Sequence, residues 1–349
     1  MSVETLKWTS LPYTETQIAD EAARLHSQLS IIGWSPVECS LIAPLTWEIN
    51  KLKREMNAVI LAHSYQTPDI IYGIADHVGD SLGLSQVAAT TDADVVVFCG
   101  VKFMAETAKI LSPEKTVLLP DDRAGCSLAA SITAEDVREL KRQYPGVPVV
   151  CYVNTYAEVK AECDACCTSA NALAVVNDME GDRVIFLPDT LMAQNLRPHT
   201  DKEIIAWNGT CVVHENFGSA ELEAFRGQYP DAKVLAHTEC VPEVVAQADM
   251  AGSTSGMERY IAEHEEAKTF MLVTECGMTD KLKVQFPDRD FIGTCVLCPF
   301  MKKIELRNVL TAMKNPDSSQ VIELDRQVIN GARRSLDRML QVGRAERVK

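Results

Sequence analysis

The residues of this chain best suited to chemistry are its cysteines and three polar pairs. Cys295 and Cys298 stand in a C-x-x-C spacing within FIGTCVLCPFM. That spacing serves a redox dithiol, half a zinc site, part of an iron–sulfur site, or simple packing. Two further cysteines, Cys126 and Cys211, close short small-residue loops, AGC and GTC. The polar pairs, each with one residue between its members, are His63 with Tyr65, Tyr152 with Asn154, and His237 with Glu239. Histidine, tyrosine and glutamate move protons between carbon and oxygen, and asparagine orients carboxylates and carbonyls. Seventeen or eighteen residues after the start of each pair comes a hydroxyl cluster: Asp80-Ser81, Thr168-Ser169 and Ser253-Thr254. These are helix caps in the plain reading, with oxygens that bind free backbone N–H groups. The helix N-termini they open also hold phosphate or carboxylate, so the ligand expected is a small, oxygen-rich anion.

Each pair must be positioned by the apolar run before it, 58–62, 147–151 or 233–236, which reads as a buried strand. On an extended chain residues i and i+2 point the same way, so each strand end aims two functional groups together. After each hydroxyl cluster comes a helical pattern (LGLSQVA, ANALAVV, SGMERYI), then a second strand and helix: 95–104 into AETAKIL, 184–192 into AQNL, 271–278 into TDKL. A third apolar stretch, 116–120, 203–207 or 290–293, leads to the loop cysteine. One order repeated three times predicts an α/β fold of three similar parallel-sheet units, with function gathered at the carboxyl ends of strands. The expected boundaries are a helical arm over 1–45, a first unit with its strap helix over 46–140, a second over 141–228, a third over 229–305, and a helical tail over 306–349 packed on the body.

The repeat also sorts the cysteines. From the methionine of the second helix to the loop cysteine is 22 residues in the first unit (Met104 to Cys126) and 19 in the second (Met192 to Cys211). In the third it is 17 from Met278 to Cys295 or 20 to Cys298, and Cys298 fits the series. Around a pseudo-threefold axis Cys126, Cys211 and Cys298 would meet. Three thiolates do not close a structural zinc site, which takes four protein ligands. They suit a 4Fe–4S cluster with one iron left open as a Lewis acid, an arrangement for dehydration rather than electron transfer.

Bulk properties narrow the field. A formal charge of −15 repels nucleic acid and anionic membrane. The N-terminus has no signal-peptide pattern, and no run of eighteen apolar residues occurs, so a cytoplasmic protein with reduced thiols is expected. Neither a G-x-G-x-x-G nor a Walker loop occurs, which argues against a bound nucleotide.

With these residues in hand, the sequence from about 46 to 343 resembles the quinolinate synthase family of NAD biosynthesis. The resemblance rests on AHSYQ, GDSLGLS, VVFCGVKFMAETAKILSPEKTVLLPD, AGCSL, YVNTYAEVKAECDACCTSANA, WNGTCVVHE, GSTSG, TECGM and CPFMKK. It implies condensation and cyclisation of iminoaspartate with dihydroxyacetone phosphate on a 4Fe–4S cluster, with L-aspartate oxidase as a functional partner. Carried over, the cluster ligands are Cys126, Cys211 and Cys298. The substrate pocket takes His63, Tyr65, Ser81, Tyr152, Asn154, Ser169, His237, Glu239, Ser253 and Thr254. His63 and His237 join Glu239, the candidate base, and Tyr65 in the catalytic set. One departure is His237-Thr-Glu-Cys240 where many members read His-Pro-Glu-Cys, which removes a fixed φ beside Glu239.

Other readings of the same residues are another cluster-dependent dehydratase and a non-enzymatic iron–sulfur or zinc redox sensor. A sensor has no need of six inward acid–base groups. Cys163, Cys166 and Cys167 read as packing, Cys295 as a reversible partner for Cys298, and His214 as a residue near Cys211 with its role open. Arg333, Arg334 and Arg338 read as a solvated helix face.

Overall fold

The computed structural model describes residues 13–293 and 295–346. Three sheets follow one another along the chain. The first holds β1 (Ala58–His63), β2 (His77–Gly79), β3 (Val95–Cys99) and β4 (Thr116–Leu118). The second holds β5 (Val149–Tyr152), β6 (Ala165–Cys167), β7 (Arg183–Leu187) and β8 (Glu203–Ala206), and the third β9 (Lys233–His237), β10 (Met250–Gly252), β11 (Thr269–Val273) and β12 (Asp290–Ile292). Strand order is identical in each: β2-β1-β3-β4, β6-β5-β7-β8 and β10-β9-β11-β12. Every named pairing within them is parallel. The fold is therefore α/β with three similar parallel-sheet units.

Parallel sheets are covered on both faces, which is why their inner strands read as unbroken apolar runs. All four residues of β5 are buried, as are the last four of β3, β7, β9 and β11. The short strands β2, β6 and β10, with sequences HVG, ACC and MAG, are only three residues each, too short to stand out as apolar runs in the sequence. Each exists because it pairs with the last residues of the strand that bears the polar pair: His63 with Gly79, Tyr152 with Cys167, His237 with Gly252. They brace the ends that carry the chemistry.

One buried cluster runs through the first two units into the third, and a smaller one fills the rest of the third. Before β1 lie helices Glu15–Leu29 and Pro36–Glu55, the second passing without a break through position 46 to bury Ile49 in the main core. The part of the expected arm over 1–12 lies outside the described residues, as do 347–349 of the expected tail.

Helix Arg326–Glu346 lies on the second unit, where Ser335 Oγ donates to Lys160 O at 2.9 Å and Asn171 Nδ2 donates to Met339 O at 3.2 Å. Its basic residues need a correction. Arg333 donates to Leu111 O of the first unit at 2.7 Å and Arg338 pairs with Asp178 at 2.9 Å, so these two tie the helix down rather than only facing water. No helix among the described residues is long and apolar enough to cross a membrane.

Candidate active site

The carboxyl ends of β1, β5 and β9 open on one cavity of about 720 Å³, counted out to its mouth. The first unit sends His63, Tyr65, Ser81 and Cys126 to its wall, and the second sends Tyr152, Asn154, Ser169 and Cys211. The third sends His237, Glu239, Thr254 and Cys298. Ser253 is the one expected pocket residue that does not line it; its Oγ caps the following helix by accepting from Gly256 N at 3.1 Å. Asp80 does the same for the helix at Ser81, accepting from Gly83 N at 2.8 Å, and receives a hydrogen bond from Ser255 of the third unit. In the second unit the helix starts later than the hydroxyl cluster suggests. Its cap is Asn171, since Thr168 and Ser169 sit in a turn closed by Asn171 Oδ1, which accepts from Thr168 N at 2.8 Å.

Glu239 lies at the centre of a buried hydrogen-bond chain drawn from all three units. Tyr152 OH donates to one carboxylate oxygen at 2.5 Å, and His214 Nδ1 meets the other at 2.9 Å. His214 Nε2 lies 3.0 Å from Thr274 Oγ1, which lies 2.6 Å from Tyr65 OH. His214 also stacks on His237, ring centroids 4.4 Å apart, and its Nδ1 stands 3.3 Å from Cys211 Sγ. Burial alone would raise the Glu239 carboxyl, but His237, His214 and the Tyr152 hydroxyl outweigh it and hold the group ionised, well below the usual range. Burial presses the His63 and His237 imidazoles down to about 3 and about 4, so both are neutral near pH 7. The Tyr65 and Tyr152 hydroxyls are pushed well up, chiefly by burial, and keep their protons.

Sequence reasoning left the role of His214 open and missed Thr274. His214 carried a signal, three residues after Cys211 in a C-x-x-H spacing. Thr274 carried none. It is the first residue past β11, where the other units have Gly100 and Pro188.

The cysteine loops share one backbone device. The N–H of the third residue past β3, β7 and β11 donates to the carbonyl two residues before a cysteine: Lys102 to Ala124 at 2.7 Å, Thr190 to Gly209 at 2.9 Å, Cys276 to Val296 at 3.2 Å. The equal offsets make Cys298, not Cys295, the counterpart of Cys126 and Cys211. Cys295 is instead joined to Cys276 in a disulfide, with α-carbons 5.0 Å apart, while Cys298 is free. The expected Cys295–Cys298 pairing is corrected accordingly, because the turn after β11 brings Cys276 against the loop after β12.

Cys126, Cys211 and Cys298 are free, half-buried thiols, and among the described residues no fourth cysteine lines the cavity. Burial pushes the Cys126 thiol up to about 12, so a thiolate there needs a cation beside it. Two lining atoms, Asn154 Oδ1 and Thr254 Oγ1, are buried with no hydrogen-bond partner in the protein. Three soft donors without a fourth, facing unsatisfied oxygen groups, fit a group held by three thiolates with a position left for a ligand. Cys211, His214 and Glu239 also place donor atoms within 4.8 Å of one another, but these groups already hydrogen-bond to each other through His214. Cys163, Cys166 and Cys167 are buried away from the cavity, with Cys166 Sγ 3.4 Å from Cys151 Sγ.

The family model described as quinolinate synthetase A protein matches residues 47–341, nearly the whole of this architecture. The chain belongs to the quinolinate synthase family. Quinolinate synthase 1 of Mesorhizobium japonicum is 53% identical over 307 residues, 88% of this chain and 94% of that protein. The quinolinate synthase of Caulobacter vibrioides is 49% identical over 312 residues, 88% of this chain and 84% of its own. That of Xylella fastidiosa is 51% identical over 294 residues, 84% and 86%. Membership in the quinolinate synthase family thus spans all three units and every cavity residue named above.

Proposed function

We propose that this chain is a quinolinate synthase of NAD biosynthesis, acting in the cytoplasm, with its units set about a pseudo-threefold axis. It joins iminoaspartate to dihydroxyacetone phosphate and closes the pyridine ring, releasing phosphate and two waters. The observation that carries the reading is the single cavity into which three units each send one free cysteine and a polar pair. A 4Fe–4S cluster held by Cys126, Cys211 and Cys298 would supply a Lewis-acidic iron with one open position.

The chain's own residues account for the remaining needs. Glu239, held ionised by its histidine and tyrosine neighbours, is the base that takes a proton from substrate carbon. Tyr65 OH, linked to it through Thr274 and His214, is the acid that returns one to a leaving oxygen. His63 and His237, neutral, donate to or accept from substrate oxygens without adding charge. Ser81, Ser169 and Thr254 take the phosphate and carboxylates, the unpartnered Thr254 hydroxyl donating to an anionic oxygen, and the unpartnered Asn154 Oδ1 accepts from a substrate N–H or O–H. L-aspartate oxidase would be the functional partner that supplies iminoaspartate.

The test is anaerobic purification, iron and sulfide analysis, and assay with iminoaspartate and dihydroxyacetone phosphate. Four irons per chain and quinolinate formation are expected. Iron-loaded protein that forms no quinolinate would refute the activity.

A further inference from the structure

We propose that Glu275 is a positioning residue for the third cysteine loop, a buried carboxylate that, together with Lys302, fixes the backbone at Cys298. The inference rests on Cys298 being a ligand, as in the function proposed above.

Glu275 is fully buried and uses both oxygens. Oε2 accepts from Gly277 N at 2.7 Å, Oε1 accepts from Cys298 N at 3.1 Å, and Lys302 Nζ lies 2.9 Å from Oε1. The same ammonium donates to Tyr65 O, and Gln66 Nε2 donates to Met301 O at 3.1 Å. One ion pair therefore joins the Cys298 loop to the turn after β11 and, across the unit boundary, to the backbone of Tyr65. The cluster sits hard against Gly277, where an added Cβ would stand 2.8 Å from Glu275 Oε2, 2.9 Å from Tyr65 O and 3.0 Å from Lys302 Nζ.

Glu275 has no counterpart of the same kind in the other two units. The equivalent position, two residues past β3 or β7, is Val101 in the first unit and Asp189 in the second. Asp189 spends Oδ1 on its own helix, accepting from Leu191 N and Met192 N. The Cys211 loop has no need of it, since Thr190 N donates to Gly209 O and Gly209 N back to Pro188 O, at 2.9 and 3.0 Å. The third loop has one such bond, the longest of the set at 3.2 Å. A buried ion pair returns little net stability for its desolvation cost, but it holds geometry well, which is what a ligand loop requires.

The test compares E275Q, K302M and the parent by alkylation of the metal-free protein, mapped at each cysteine by peptide mass. E275Q should raise the rate at Cys298 about tenfold, the loss of roughly one charge-assisted hydrogen bond, and leave Cys126 and Cys211 within about twofold. K302M, at a partly exposed position, should raise Cys298 in the same selective way and serves if E275Q does not fold. In anaerobically loaded protein, a chelator should strip iron from either variant about tenfold faster than from the parent. An equal rise at all three cysteines, or no rise at Cys298 in a folded variant, overturns the proposal. Parent protein that takes up no iron would refute the cluster reading and leave the thiol result to stand by itself.

Discussion

Glu239 accepts from Tyr152 OH at 2.5 Å and meets His214 Nδ1 at 2.9 Å, both from the second unit, and its charge is what the proposed proton transfer depends on. Replacing it with glutamine keeps the shape and removes the charge. Glu239→Gln should cut turnover by about 10²–10⁴ while iron content stays at the parent level, read by anaerobic assay alongside iron analysis. Retained turnover would remove Glu239 from the base role. Thr274 is a subtler case. Its hydroxyl bridges Tyr65 OH and His214 Nε2, so Thr274→Val, similar in volume, should lower kcat about tenfold to a hundredfold with KM nearly unchanged. The difference in how these residues could be read is physical. The polar pairs were legible because a strand end displays i and i+2 on one side, a local rule. Thr274 meets Tyr65 across 209 positions and His214 across 60, and no spacing within one unit encodes such a meeting.

Among the elements, the cysteine loops depend on close approach between backbones. Gly209 shows this best: a Cβ there would stand 2.6 Å from Pro188 O and 2.5 Å from Ser131 Oγ. The serine can rotate, but the carbonyl belongs to the paired turn and cannot. Gly209→Ala should therefore push the Cys211 loop off the end of β7, costing about 1–3 kcal/mol in chemical denaturation. It should also lower iron uptake on reconstitution. A variant with parent stability and full iron content would show that the loop tolerates the shift. The inner strands and long helices were legible as apolar runs and helical periods. The strands β2, β6 and β10 were not, because three residues bound on one edge need no apolar pattern, only a neighbour. The same holds for the Cys276–Cys295 bond. Sequence distance favoured the nearby Cys298, while the turn after β11 decides the partner.

At the scale of the whole molecule the question is whether the metal makes the site or the fold does. In small zinc domains the binding energy is the folding energy, and removing the metal unfolds the chain. Here each cysteine loop is tied to its own sheet by a backbone hydrogen bond at the same offset. The units are joined by contacts that involve no cysteine: Arg333 to Leu111 O, Asp80 to Ser255, Asn195 Nδ2 to Thr238 O. A continuous buried core runs beneath them. All of this stands without a metal, so chelation should leave the far-UV circular dichroism unchanged and the melt cooperative. The midpoint should fall by on the order of 10 °C or less, the linkage term for a ligand bound only to the folded state. Replacing Cys126, Cys211 or Cys298 singly with serine should reproduce that metal-free melt, each variant matching the others because all three leave the same scaffold behind. If chelation instead erased the helical signal, the units would be held together by the metal and not by the contacts between them.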